Sequence, residues 1–231
     1  MNINKRIKCK LTTQSMTTYD NFQWKLGERV TIDSEIKGKK PCTNQVLHYY
    51  EHPILAVLFN QTHANITNPR LFAISTSPRL GTDGLKSWCK SQVLLEEIEL
   101  PKISITTKIA FTLICILYAY KEETWQLWAT NWLTGKDRSC SSAANAGNAA
   151  NVANAANVAN AAYAAYTAAY AAYTANAAAN AAYTAAYAAN AGDAANAANA
   201  AYTAAVEAIN YNKEITPFLL TCYKKALKVK E

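Results

Sequence analysis

The sequence predicts an α+β protein. A small N-terminal domain built on an antiparallel sheet with helices comes first, then a long alanine-rich helical region, then a short C-terminal helix. Three observations carry this reading. Short runs rich in β-branched and aromatic residues, punctuated by Gly, Pro, Asn and Asp, fill the early part of the chain, as strands of a sheet do. Residues 143–208 are more than half alanine and contain no proline, which is the composition of a helix. Thr216-Pro217 then opens a last helix, with Thr216 as its cap and proline in its first turn. The expected boundaries are 1–138 for the globular domain, 139–210 for the alanine-rich region and 211–231 for the C-terminal helix.

Taken in order, residues 1–20 are basic and threonine-rich, suited to a loose arm or a first strand. Residues 22–36 (FQWKLGERVTIDSEI) suggest two short strands about Gly27. Lys37, Lys39 and Lys40 form a basic turn, either a solvated loop or a phosphate contact. Residues 42–60 are chemically the densest. A helix is expected to start between Glu51 and Pro53, turning Ile54, Leu55, Val57 and Leu58 towards the core. Residues 70–75 (RLFAIS) read as a strand, 77–84 (SPRLGTDG) as a loop, and 91–100 (SQVLLEEIEL) as a second strand antiparallel to the first. Glu96, Glu97 and Glu99 alternate across that strand, so at most Glu97 and Glu99 share a face. A solvated strand edge explains them better than carboxylate catalysis does.

Pro101 ends the strand, and residues 105–120 form a buried core helix. Its apolar run, IAFTLICILYAY, is too short to span a bilayer, which needs about 20 residues. Residues 123–133 form another helix. Trp125, Trp128 and Trp132 recur at intervals of three and four and line one face, as core residues. Residues 135–142 (GKDRSCSS) make a hinge, with Ser141 or Ser142 as cap of the alanine-rich helix. In the last helix, Phe218, Leu219, Leu220, Tyr223 and Leu227 give an apolar side. Lys224, Lys225, Lys228 and Lys230 suit the negative end of its dipole.

A single helix over residues 143–208 would span about 100 Å at 1.5 Å per residue. It must therefore project, fold back as a hairpin at Gly192-Asp193, or coil with a partner. From Asn145 to Tyr166 a row of asparagines and then tyrosines recurs in threes and winds around the helix. Between Tyr163 and Tyr187 the spacing becomes three-four, so Tyr163, Tyr166, Tyr170, Tyr173, Asn180, Tyr183 and Tyr187 share a face. That face is a candidate docking surface; a solvated low-complexity helix and a non-α solenoid are the alternatives. Thr167, Thr174, Thr184 and Thr203 form no single row, which removes an ice-binding reading.

The formal charge is +7. Residues 1–138 hold 18 basic against 12 acidic side chains, whereas the alanine-rich stretch is nearly uncharged and ill-suited to a phosphate backbone. Cys9, Cys42, Cys89, Cys115, Cys140 and Cys222 form no C-x-x-C pair, and the basic start lacks an apolar signal core. Free thiols in a reducing cytoplasm are expected, with no membrane association. His48, His52 and His63, with Cys42, match no common zinc spacing. No metal and no cofactor is expected. His48, Tyr49, His52 and His63 remain as a candidate pocket, against ordinary partly buried histidines.

Three segments carry a family resemblance: CTNQVLHYYEHPILAVLFN, the EEIELPKI strand, and LWATNWLTGKDRS before an alanine-rich helix. With Lys225-Ala226-Leu227 near the end, they resemble a bacteriophage and prophage protein family with an α+β domain, a WL-S/T-GKDRS junction and an alanine-rich region of variable length. Gln45 stands where that pattern has glycine. The resemblance implies a phage origin and expression in the host cell cytoplasm, and no established activity.

The expected function is a non-enzymatic interaction protein. Its partner would be a host or phage protein, first a host defence factor that it inhibits or sequesters through protein contacts, and it would self-associate as a homo-oligomer. One alternative is a nucleotide-binding or ADP-ribosyltransferase-like enzyme using residues 42–63, with His48, Tyr49 and His52 first in line; no phosphate-binding glycine motif supports it. Another is nucleic-acid binding by Lys5, Arg6, Lys8, Lys10 and the basic turn, near Trp24, without a recognisable motif.

Overall fold

The computed structural model describes residues 6–32, 45–119, 123–139, 141–143, 145–146 and 216–230. The tyrosine/asparagine face from Tyr163 to Tyr187 and the basic turn Lys37, Lys39 and Lys40 lie outside the described residues. By its contacts the chain divides into two compact units, Met1–Lys102 and Ile103–Glu231.

The first unit is a seven-stranded antiparallel sheet. Its strands are β1 (Cys9–Thr12), β2 (Arg29–Thr31), β3 (Leu47–Tyr50), β4 (Arg70–Thr76), β5 (Arg79–Thr82), β6 (Lys86–Cys89) and β7 (Ser91–Ile98). They lie in the order β2-β7-β4-β1-β3-β6-β5. The antiparallel pairing of β4 with β7 was legible from their two apolar runs. The strand β5 was not: the segment read as a loop pairs with β6 at Arg79, Gly81 and Thr82. Nor was β6 legible, because Lys86, Ser87, Trp88 and Cys89 are all buried and show no alternation. Of the two strands expected about Gly27, only the second forms. The first flank makes single bridges, Thr17 to Gln23 and Leu26 to Leu94, and Gly27 turns the chain at φ +77°.

One face of this sheet holds a core of Trp24, Leu47, Tyr49, Phe72, Ile74, Cys89 and Leu94. Helix α1 (Pro53–Leu58) packs on β1 and β3 and buries Ile54, Leu55 and Leu58. It starts at Pro53 because the ring fixes φ there while holding His52 extended. A one-turn helix, α2 (Asn60–His63), follows. In β7 the register against β4 slips between Ala73 and Ile74, which leaves Leu95 unpaired and outward-facing. Beyond that bulge the glutamates are solvated, and Glu97 forms a fork with Arg70 at 2.6 and 3.0 Å.

The second unit holds α3 (Ile105–Ala119), α4 (Glu123–Thr134) and α5 (Thr216–Ala226). Ser104 caps α3 through the Thr107 amide. In α3, Ile109, Ala110, Phe111, Leu113, Ile114, Cys115 and Ile116 are all buried, as in a helix enclosed on most sides. Trp125, Trp128 and Trp132 form the buried stripe of α4, and the first two meet edge-on at 5.6 Å. The buried face of α5 is Leu219, Cys222, Tyr223 and Ala226; Leu227, expected inside, is 47% exposed beyond the helix end. Helical backbone resumes at residues 141–143 and 145–146. Its cap is Ser139 rather than Ser141 or Ser142: the Ser139 hydroxyl accepts from the Ser142 amide, and its carbonyl from Ala143.

Candidate functional site

Strand parity decides which of the expected pocket residues meet. In the β3–β6 pair, His48 lies opposite Trp88 and Tyr50 opposite Lys86, all on one face. Tyr49 points to the other face, into the Trp24 core. His63, at the end of α2, stacks beside the Tyr50 and Phe59 rings at 6.1 and 6.0 Å. Its Nδ1 lies 2.5 Å from the Tyr50 hydroxyl. His52 stands apart at the α1 N-cap, nine-tenths buried, its ordinary pKa lowered by burial and by Arg6. The structure thus unites His48 and His63 with Tyr50 and Lys86, and separates them from Tyr49 and His52.

Burial pushes the His48 and His63 imidazoles down to about 4, and the Lys86 ammonium adds to the shift in both. Both rings are neutral at pH 7. A base that weak is poorly matched to proton transfer near neutrality. The chemistry of the cluster is that of a polar joint between α2 and the sheet. Among the described residues, no group of three His, Cys, Asp or Glu side chains is placed to hold a metal ion.

The N-terminal cations each have a partner in the fold, Arg6 and Lys8 at exposed positions and Lys10 at a half-buried one. Arg6 pairs with Glu51. Lys8 donates to the Thr76 hydroxyl at 2.8 Å. Lys10 donates to the His48 carbonyl at 2.6 Å and sits 4.8 Å over the Trp24 ring. Burial lowers its pKa to about 8. Of these three cations only Lys10 is drawn into the fold; Lys5 and the basic turn, which the nucleic-acid reading also needs, lie outside the described residues.

The segment between β1 and β2 carries a feature that sequence reasoning missed. It is tightly cross-bonded. The Trp24 amide donates to the Met16 carbonyl at 2.9 Å, and its indole Nε1 to the Thr18 hydroxyl at 2.9 Å. The Gln23 carboxamide donates to the Ser15 and Trp24 carbonyls. The Thr13 hydroxyl bonds to those of Ser15 and Thr17. Within this frame Met16, Asp20 and Asn21 are held at φ 61°, 59° and 54°. L-residues adopt that region at a cost, least for Asp and Asn. The result is to present apolar side chains to solvent: Tyr19 is 89% exposed, Leu26 55% and Phe22 42%. The clue in the sequence was Tyr19-Asp20-Asn21-Phe22, two left-hand-tolerant residues between two aromatics.

No known protein family, curated protein or solved structure matches this chain.

In the second unit, the GKDRS junction forms a clamp. Arg138 lies 4.6 Å over the Trp132 ring, donates Nε to the Trp132 carbonyl at 3.0 Å and Nη2 to the Lys230 carbonyl at 2.7 Å. Asp137 accepts from the Ser139 amide at 2.9 Å, which holds its carboxyl below the usual range. A groove of about 550 Å³ runs between the two sides of this clamp, with Arg138, Lys228 and Lys230 on its walls. Among the described residues no helix is long and apolar enough to cross a membrane.

Proposed function

We propose that this chain is a phage-encoded, non-enzymatic interaction protein of the host cell cytoplasm. It inhibits or sequesters a host defence factor by direct contact, and the tyrosine/asparagine face of its alanine-rich region serves self-association. The phage origin rests on the resemblance carried by the junction and histidine segments.

The observation that carries the interaction reading is the loop bearing Tyr19, Phe22 and Leu26. Left-handed backbone at Asp20 and Asn21 is retained in a cross-bonded frame whose product is solvent-exposed aromatic surface. Strain of this kind collects at functional positions. Aromatic anchors presented by a rigid loop lose little entropy on docking, and such residues dominate binding energies. The partner surface that fits is an apolar cleft deep enough to take the Tyr19 ring, with polar groups at its rim for Asp20 and Lys25. Two further observations support binding over catalysis. The histidines of the β3–α2 cluster are too weakly basic for work near pH 7, and Tyr49 and His52, also expected in the pocket, lie apart from them.

The test places a photo-crosslinking residue at position 19 of the full chain in infected cells. The adduct is identified, that protein is purified, and its Kd is measured against the wild type and against Tyr19→Ala and Phe22→Ala variants. Each truncation is expected to weaken binding at least about tenfold. Unchanged affinity in both variants refutes the loop as the docking site.

A further inference from the structure

Helices α3 and α5 pack closely along their lengths. Two aromatic pairs set their register, Phe111 with Tyr223 at 6.5 Å between ring centroids and Tyr118 with Phe218 at 5.1 Å. On the seam between the helices lie two cysteines, Cys115 of α3 and Cys222 of α5. Both are fully buried free thiols, bracketed by the two aromatic pairs and close enough that each shifts the other's titration. A buried thiol ordinarily behaves as a small apolar group. Two in contact, on elements separated in sequence by the whole alanine-rich region, have a chemistry that one alone lacks.

We propose that Cys115 and Cys222 form a redox latch, in which oxidation by a small disulfide staples α5 to α3. The Cys222 thiolate attacks one sulfur of the oxidant, oxidised glutathione for instance, and expels one glutathione thiolate. The Cys115 sulfur then attacks the mixed disulfide. The Cys115–Cys222 bond forms, the second glutathione leaves, and the two protons of the cysteine thiols end on the two glutathiones. Two protein thiols are oxidised and one small disulfide is reduced.

The surroundings divide the two roles. The neighbouring Cys115 thiol, and then the Lys225 ammonium, hold the Cys222 thiol below its ordinary range. Burial pushes Cys115 well above it. An attacking thiol needs the thiolate, so Cys222 reacts first. Because both sulfurs are shielded, exchange waits for α5 to lift, and its rate reports how often α5 undocks. The closed loop would contain the entire alanine-rich region, a long span whose constraint in the unfolded chain favours the folded state.

The experiment treats the reduced full chain with increasing ratios of oxidised to reduced glutathione. Free thiols are counted, and cross-linked peptides are mapped by mass spectrometry after non-reducing digestion. The expected result is loss of two thiols and a dominant Cys115–Cys222 peptide. Tm is expected to rise by roughly 10 °C and to revert on reduction. Cys115→Ser is expected to stop at a glutathione adduct on Cys222. Two outcomes overturn the latch: cross-links confined to Cys42 and Cys140, or a Cys115–Cys222 bond that leaves Tm unchanged. The wild-type peptide map decides the matter even if a serine variant fails to fold.

Discussion

The Tyr50 hydroxyl lies 2.5 Å from Nδ1 of His63, joining the last residue of β3 to the last residue of α2. This contact keeps a neutral imidazole against the sheet, close to the equally neutral His48 and to Lys86. Stability should therefore depend on pH in a defined window. The unfolded histidines bind a proton near pH 6.5, whereas the folded ones bind it only at about 4. Between those values the unfolded state holds more protons, so stability is full above about pH 6.5 and falls as pH drops towards 4. Discounted for partial exposure and mutual coupling, the pair contributes on the order of 2 kcal/mol. Urea midpoints at about pH 7.5, 6 and 5 should fall in that order, with a shallower fall in His63→Gln. Equal slopes in the two proteins would refute the assignment.

The loop before β2 should respond to backbone chemistry rather than to its exposed side chains. Asn21 sits at φ 54°. Asn21→Val should cost roughly 1–2 kcal/mol, because a β-branched residue resists that region, while Asn21→Gly should be close to neutral. Tyr19→Ala should change stability by less than about 0.5 kcal/mol, since that side chain is 89% exposed. Chemical denaturation of the three variants separates these effects. A destabilising Tyr19→Ala would mean that the ring packs in the fold and is not offered to a partner.

Gly81 lies directly over the Trp88 indole. A Cβ added there would approach Cζ2 to 2.4 Å. The indole is buried in the sheet and has little freedom to withdraw. Gly81→Ala should cost about 1–3 kcal/mol as an overpacked site, read as a lowered Tm together with a change in Trp88 fluorescence. An unchanged melt would show that the β5–β6 pairing is looser than its register implies.

Arg138 ties the junction to the C-terminal tail through the carbonyls of Trp132 and Lys230. Arg138→Ala should destabilise the second unit by about 1–2 kcal/mol. Arg138→Lys should recover little, because an ammonium cannot fork between two carbonyls while lying flat on an indole. Amide hydrogen exchange should show faster opening of residues 216–230 in both variants. Protection equal to wild type would remove the clamp.

Much of the fold was legible in local pattern. Pro53 and Thr216-Pro217 mark helix starts by fixed backbone geometry, and the intervals Trp125, Trp128, Trp132 mark a buried helical face. The runs that became β4 and β7 are long enough to announce a pair. The missed elements had no local signal. Strand β6 is buried at every position, so nothing alternates, and β5 reads as a turn because its Gly and Thr gain their meaning from Trp88 across the ladder. The capping serine went to Ser139 because Asp137 turns the chain there, a contact invisible in a string of serines.

By itself the sequence determined the α+β class, the helices at Pro53, Ile105, Glu123 and Thr216 and their apolar stripes, because those depend on neighbours within one or two turns of chain. The histidine segment was picked out as chemically dense by composition alone. Only the tertiary structure decided that His48 and His63 share a face while Tyr49 turns away, that Lys10 lies over the buried Trp24 ring, and that Cys115 faces Cys222. A strand's outward face depends on which partner it pairs with and in what register, and contacts between distant segments exist only once that register is set.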